Sequence, residues 1–209
     1  MRWIAEMKKN MSWVMCLAGA LAVASPGDAF AAAIGAVEST ARVGIGFNLS
    51  TLSAEDPDGD THSKTSLQPF NFVYADDFSL GVRYWAEGFY QATTLPASSN
   101  QIGQDVERYG LRLSLQRKLK MFPTFALWGG LGVHAAMDDF SKRYTVDGEG
   151  YLLQRYSDRS SNHFGIQGEL VAEWKLKPRW DLAAKAMYAI PFGDGVNDFS
   201  VGAFFLYSY

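Results

Sequence analysis

Nine ionic side chains recur at alternate positions of extended segments: Arg42, Arg83, Glu87, Arg108, Arg112, Glu169, Glu173, Lys175 and Lys185. Successive side chains of a strand point to opposite faces, so each sits on the face away from its segment's large apolar residues. Cations and carboxylates gathered from several strands onto one enclosed face have two uses. They can pair into a salt-bridged plug that satisfies buried charge, or rearrange to let ions through. The plug is the expectation, because the interior of an eight-stranded cylinder is just wide enough for side chains to fill.

Other groups carry weaker chemistry. Asp56-Pro-Asp58-Gly-Asp60 spaces carboxylates like the opening of a calcium loop, but Thr61 stands where such a loop needs glycine and Leu67 where it needs glutamate. It reads as a solvated acidic turn, and neither a metal nor a cofactor is expected. Asp60, His62 and Ser63, and likewise Asp158, Ser160 and His163, are the residue types of a hydroxyl nucleophile with its base and orienting acid. Neighbours on one loop seldom reach that geometry, so no enzymatic activity is expected. His134 reads as a hydrogen-bonded interior filler. Arg143, Tyr144, Tyr151, Arg155, Tyr156 and Arg159 give the longest connection an aromatic and cationic surface suited to a glycan, lipopolysaccharide phosphates or a partner protein.

The elements that must position these groups are strands. In the first segment Ala41, Val43, Ile45, Phe47 and Leu49 alternate with Arg42, Gly44, Gly46, Asn48 and Ser50. In the last, Phe199, Val201, Ala203, Phe205, Tyr207 and Tyr209 alternate with Ser200, Gly202 and Ser208, and only Phe204 and Leu206 break the polar row. About eight segments of this kind occur, each near the ten-residue length of a tilted membrane strand. Connections 53 to 66, 91 to 105 and 138 to 161 are long and polar; 75 to 77, 118 to 123 and 177 to 179 are short, and Gly193 to Asp198 is expected to close a short outer loop. Tyr74, Phe78, Phe125, Trp174, Trp180, Tyr207 and Tyr209 fall beside the short turns, where an interfacial girdle would sit, and Tyr90, Tyr109, Phe164, Tyr188 and Phe199 suit the opposite interface. Asp147-Gly-Glu-Gly150 predicts a hairpin in the longest connection.

Arg2, Lys8 and Lys9, the apolar run Val14 to Ala24 and Ala29-Phe-Ala31 read as an export signal over residues 1–31, cut after Ala31, leaving one barrel domain over 32–209. The single cysteine, Cys16, lies in that run, so no disulfide is expected. Lys and Arg number 19 against 22 Asp and Glu. Removing the leader's three cations and two carboxylates leaves a net −4, which excludes a nucleic-acid surface. Past the leader no stretch of about eighteen apolar residues occurs, and mean hydropathy is −0.09. A chain without such a stretch can span lipid only as a closed barrel, whose inward half lowers the average. The fold class is therefore all-β: an antiparallel up-and-down transmembrane barrel.

The strand pattern, the short turns, the Gly-rich Trp128-Gly-Gly-Leu-Gly-Val133 segment and the terminal Phe205-Leu-Tyr-Ser-Tyr209 resemble the small outer-membrane barrels of the OmpA transmembrane-domain and OmpX type, over residues 38 to 209. The resemblance implies an outer-membrane location in a Gram-negative bacterium. Implied partners are outer-membrane lipids and lipopolysaccharide, and the implied state is a monomer. It also implies a C-terminal signal read by the barrel-assembly machinery, matched here by Val201, Ala203, Phe205, Tyr207 and Tyr209. Such barrels include anchors, adhesins, small channels and a few lipid enzymes, so the fold does not select a role. The expectation is a plugged barrel whose surface loops serve envelope integrity or binding. Its alternatives are a channel for small or hydrophobic solutes and a lipid-modifying enzyme.

Overall fold

The computed structural model describes residues 40–55, 61–79, 81–98, 101–192 and 197–209. The expected export signal, the expected Asp56–Asp60 turn and residues 193–196 of the expected final outer loop lie outside the described residues. Nine strands are present among them: β1 (Thr40–Glu55), β2 (Thr61–Ser79), β3 (Val82–Leu95), β4 (Gly103–Met121), β5 (Ala126–Val146), β6 (Leu152–Arg155), β7 (Arg159–Lys177), β8 (Trp180–Pro191) and β9 (Asp198–Ser208). Every pairing is antiparallel, and the order β4-β3-β2-β1-β9-β8-β7-β5 returns on itself through β4–β5. Eight strands thus close a cylinder, with β1 sealed to β9 from Arg42↔Ser208 to Thr51↔Phe199. β6 stands outside the ring as a short partner of β5. Closure gives backbone groups along the ring an internal partner, as a chain surrounded by acyl tails requires.

The two faces separate as the alternation predicts. Val43, Ile45, Phe47 and Leu49 are exposed while Arg42, Asn48 and Ser50 between them are buried; Leu131, on the outside of β5, is 76% exposed. An apolar exterior around a polar interior inverts a soluble barrel and suits a lipid surround. The two apolar breaks in the closing strand have a partner in the first. Leu206 pairs with Gly44 and Phe204 with Gly46, and a Cβ on either glycine would collide with the facing side chain. The inward glycines of β1 are the space into which Phe204 and Leu206 fold.

Three expectations are corrected. The first short turn is not at 75 to 77, because Ala75, Asp76 and Asp77 pair with Trp85, Tyr84 and Arg83; β2 runs on through Phe78, and the chain reverses at Gly81, whose φ of +80° suits a residue without Cβ. Most of the long polar connections are strand: β1 and β2 stay paired to Glu55↔Thr61, β3 and β4 to Leu95↔Gln104, and β5 extends to Val146. Ten-residue strands cross a membrane, and these hairpins continue beyond it. Finally, the second segment is not a pure alternation. Gly46 pairs with Asn71 but Asn48 with Gln68, so a bulge at Pro69 and Phe70 lets Gln68 and Asn71 both face inward. Proline's missing N–H is tolerated at such a break. The predicted hairpin around Asp147–Gly150 forms, with Asp147 N donating to Tyr151 O.

Gly46→Val should cost about 1 to 3 kcal/mol in urea unfolding from micelles, by overfilling the space Phe204 occupies. Gly88→Ala, whose Cβ would meet nothing nearer than Leu111 at 3.6 Å, should unfold at the wild-type midpoint.

Candidate functional site

The inward row meets in the lumen, where charges from all eight ring strands pair across the cylinder. Nearest the short turns, Arg42 reaches Asp77 at 2.6 Å and Glu173 at 2.5 Å, and Arg83 reaches the other oxygen of Glu173 at 2.5 Å while its Nε donates to Gln116. Asp181 lies 3.9 Å from Arg42. In the outer half Glu87 accepts from Arg112 at 2.7 Å and from Lys185, and Lys185 also lies 3.8 Å from Glu169. Asp198 joins Arg112 at 3.3 Å and Arg108 at 3.5 Å, and Arg108 continues to Asp138 at 3.1 Å. Glu169 also accepts from Ser114 and from Gln116, packed where Gly130 and Gly132 leave room on β5. The Gly-rich segment therefore exists to admit this cluster.

Between the two ionic layers lies an apolar one, passed on the β4 side by Gln116, which accepts from Arg83 and donates to Glu169. Trp85 and Phe204, both 0% exposed, meet edge to face at 5.6 Å, with Trp128, Leu206, Val73, Ala75, Val171 and Ala183 around them. Arg83 lies against it from the turn side, 4.0 Å from the Trp128 ring, and Lys185 from the other, 5.3 Å from Phe204. Cation–π contact on both faces ties the septum to the charges it separates.

Of the nine residues picked out by alternation, eight are in the lumen. Lys175 is at the rim with its side chain 63% exposed, 3.9 Å from Asp181. Sequence reasoning missed most of the carboxylates that complete the network. The turn expected at 75 to 77 holds Asp77 and the long connection expected at 138 to 161 holds Asp138, although both have inward parity once the strands are given their full length; Asp198 ends the expected final loop. The apolar septum is partly legible in the sequence: Trp128 falls on the inward row with Gly130 and Gly132, and Phe204 and Leu206 interrupt the inward row of the last strand, whereas their meeting with Trp85 across the cylinder is not.

His163 and Asp138 face each other at 3.7 Å, and His163 Nε2 lies 2.8 Å from an Arg108 nitrogen; since arginine only donates, that ring nitrogen accepts. His134 is inward and buried, as expected of an interior filler, and its Nδ1 makes no hydrogen bond. Ser160 donates to Asp139, and Asp158 accepts from the Lys142 backbone, so the Asp158, Ser160 and His163 set is not brought together. Asp60 lies outside the described residues, as does the side chain of His62. Among the described residues no group of three or more His, Cys, Asp or Glu is placed to hold a metal.

Above the ring, the β5–β6 hairpin and the segment leading into β7 carry the remaining candidates. Arg143 donates to Gln104 and Ser157 and lies 5.8 Å from the Tyr156 ring, and Tyr144 pairs with Arg155. Tyr151, Leu152, Leu153, Arg155 and Arg159 are exposed. Lys142 sits at φ 51°, held by Asp105 at 2.8 Å; that hydrogen bond keeps the Asp105 carboxyl below the usual range. On β9, Val201, Phe205 and Tyr209 are exposed and Ala203 and Tyr207 half-buried along one outward ridge. Aromatic contacts ring the short-turn end: Tyr74–Tyr84 at 5.8 Å, Phe125–Trp174 at 5.5 Å and Trp180–Tyr207 at 5.0 Å.

A closed antiparallel ring of eight strands, greasy outside and ionic within, is the architecture of the small integral outer-membrane β-barrels. The fold is similar to Ail, the attachment invasion locus protein of Yersinia pestis (TM-score 0.52, 16% identity, covering 82% of this chain and 100% of that one). It is similar also to Neisserial surface protein A (TM-score 0.59, 11% identity, 83% and 100%) and to the outer membrane protein OprG from Pseudomonas aeruginosa (TM-score 0.50, 15% identity, 84% and 99%). No protein-family model and no curated protein matches the sequence.

Glu87→Ala should lower unfolding stability by about 3 to 5 kcal/mol, because it strands Lys185 and Arg112 in the interior. Lys142→Ala, which removes an exposed pair, should change it by no more than about 1 kcal/mol in the same denaturant titration.

Proposed function

We propose that the protein is a non-enzymatic, monomeric barrel of a Gram-negative outer membrane. Its lumen is closed, and its work is done by the hairpins outside, in envelope integrity or binding. The observation that carries this reading is the stack of ionic layer, aromatic septum and ionic layer. A path for solute would have to part Trp85 from Phe204 and unpair charges on both sides of them. What is left free is the β5–β6 hairpin, where Tyr151, Leu152 and Leu153 stand out beside Arg155 and Arg159. Exposed aromatic and guanidinium groups together suit a polyanionic glycan or lipopolysaccharide phosphates. Ail, similar in fold, has been seen in complex with the heparin analogue sucrose octasulfate. The outward ridge Val201, Ala203, Phe205, Tyr207 and Tyr209 would be read by the barrel-assembly machinery.

Planar-bilayer recording separates this reading from the channel. The wild type should give no reproducible conductance, whereas Trp85→Ala combined with Phe204→Ala should open steps; steady wild-type steps altered by Arg83→Ala would establish a channel instead. On the binding side, Arg155→Ala with Arg159→Ala should weaken retention on immobilised heparin several-fold, and unchanged retention would take the hairpin out of the account.

A further inference from the structure

Two Lys-Leu-Lys triplets, at 118–120 and 175–177, stand at the short-turn ends of β4 and β7. The register breaks at both. Lys118 pairs with Trp128 but Lys120 with Leu127; Lys175 pairs with Asp181 but Lys177 with Trp180. One extra residue, Leu119 or Leu176, is thus inserted into each strand. Paired residues share a face, so the first lysine of each triplet stays on the lumen side and the second is turned outward. Side-chain contacts agree for three of the four: Lys118 lies 4.7 Å from the Trp128 ring, Lys175, itself exposed at the rim, lies 3.9 Å from Asp181, and Lys120 lies over Phe122; Lys177 is placed by its pairing with Trp180. Unbroken strands would have sent all four lysines inward.

The bulges therefore place cations where a transmembrane barrel otherwise presents only aromatic and aliphatic groups. β5 pairs with β7, so the two hairpins are neighbours, joined at the rim by Phe125 and Trp174. Neither 117–125 nor 174–180 contains an Asp or Glu, and Arg117 and Arg179 add further exposed charge. The third short turn is the opposite: residues 75–81 hold Asp76 and Asp77 and no cation. Leu119, Leu176 and Trp180 are about half exposed between the cations. Alternating aliphatic and ammonium groups at the girdle level put apolar stems among acyl chains and charged heads at the headgroup plane.

We propose that this half of the rim is a binding site for an anionic phospholipid of the leaflet facing the short turns. Lys120, Lys177 and Arg179 hold the phosphodiester, and acyl chains lie along Leu119, Leu176 and Trp180. The proposal rests on the transmembrane reading. It commits to phospholipid because short turns mark the periplasmic end, away from lipopolysaccharide.

The test is native mass spectrometry of the folded barrel equilibrated with equal phosphatidylglycerol and phosphatidylcholine. Heat-modifiable gel migration of every variant shows separately that the barrel forms, so a failure of the transmembrane reading is distinguishable. Wild type should retain phosphatidylglycerol preferentially, and Lys120→Gln with Lys177→Gln should reduce that preference about fivefold per lysine. Lys120→Arg with Lys177→Arg should keep it, as should Lys118→Gln with Lys175→Gln, which removes equal charge from the lumen-side lysines. No preference in the wild type, or equal loss in both glutamine pairs, overturns the proposal. So does unchanged lipid retention in Lys120→Gln with Lys177→Gln accompanied by lost binding to isolated peptidoglycan.

Discussion

The buried charge of Glu87, shared between Arg112 and Lys185, sets the terms for the rest of the molecule. An ion removed from water costs several kcal/mol unless an opposite charge with good geometry replaces the solvent. Here Arg112 stands opposite Glu87 on the neighbouring strand β4, while Lys185 comes from β8, far along the chain. Lys185 reaches Glu87 only if the cylinder is closed in one register. A slip of one residue in any ring strand would turn its ions toward lipid and its aliphatics into the lumen. The ionic interior and the apolar exterior are therefore two sides of one constraint.

That constraint explains which small residues appear where. Gly44 and Gly46 yield space to Leu206 and Phe204, and Gly130 and Gly132 to the Ser114, Gln116 and Glu169 cluster. A narrow lumen holding Trp85, Trp128 and long ionic side chains must find its volume in facing positions that carry none. This filling supports the proposed closed lumen, with the exposed hairpin tip on one side and the basic rim on the other as the proposed working surfaces.

The fold was legible because the barrel's two environments write themselves as a period of two. Val43 to Leu49 and Phe199 to Tyr209 name their faces directly, and the pairing of β1 with β9 follows from their place at the two ends. Features that break the period were not legible. The bulges at Pro69, Leu119 and Leu176 shift parity by one residue, and nothing in residue type alone distinguishes a bulge from a strand end. Asp76 and Asp77 look like a turn because carboxylates favour turns, yet they lie in a strand where Arg42 and Tyr84 receive them. Asp138 and Asp198 were hidden because polar residues beyond the membrane span read as loop when they are extended strand. Parity alone sends Trp128, Phe204 and Leu206 inward, but the contact of Trp85 with Phe204 joins strands that are not consecutive, and no single segment states it.

The central claim is that Ile45, Leu131 and Leu170 face acyl chains while Asn48, Gln116 and Gln167 face the lumen. Single-cysteine fluorescent labels at those positions, in the barrel reconstituted into vesicles, report this directly through quenchers carried on lipid tails or dissolved in water. The account predicts strong lipid quenching at the first three and weak lipid quenching at the others. Equal quenching by lipid at both sets, or quenching at Ile45, Leu131 and Leu170 by the aqueous agent alone, would contradict it.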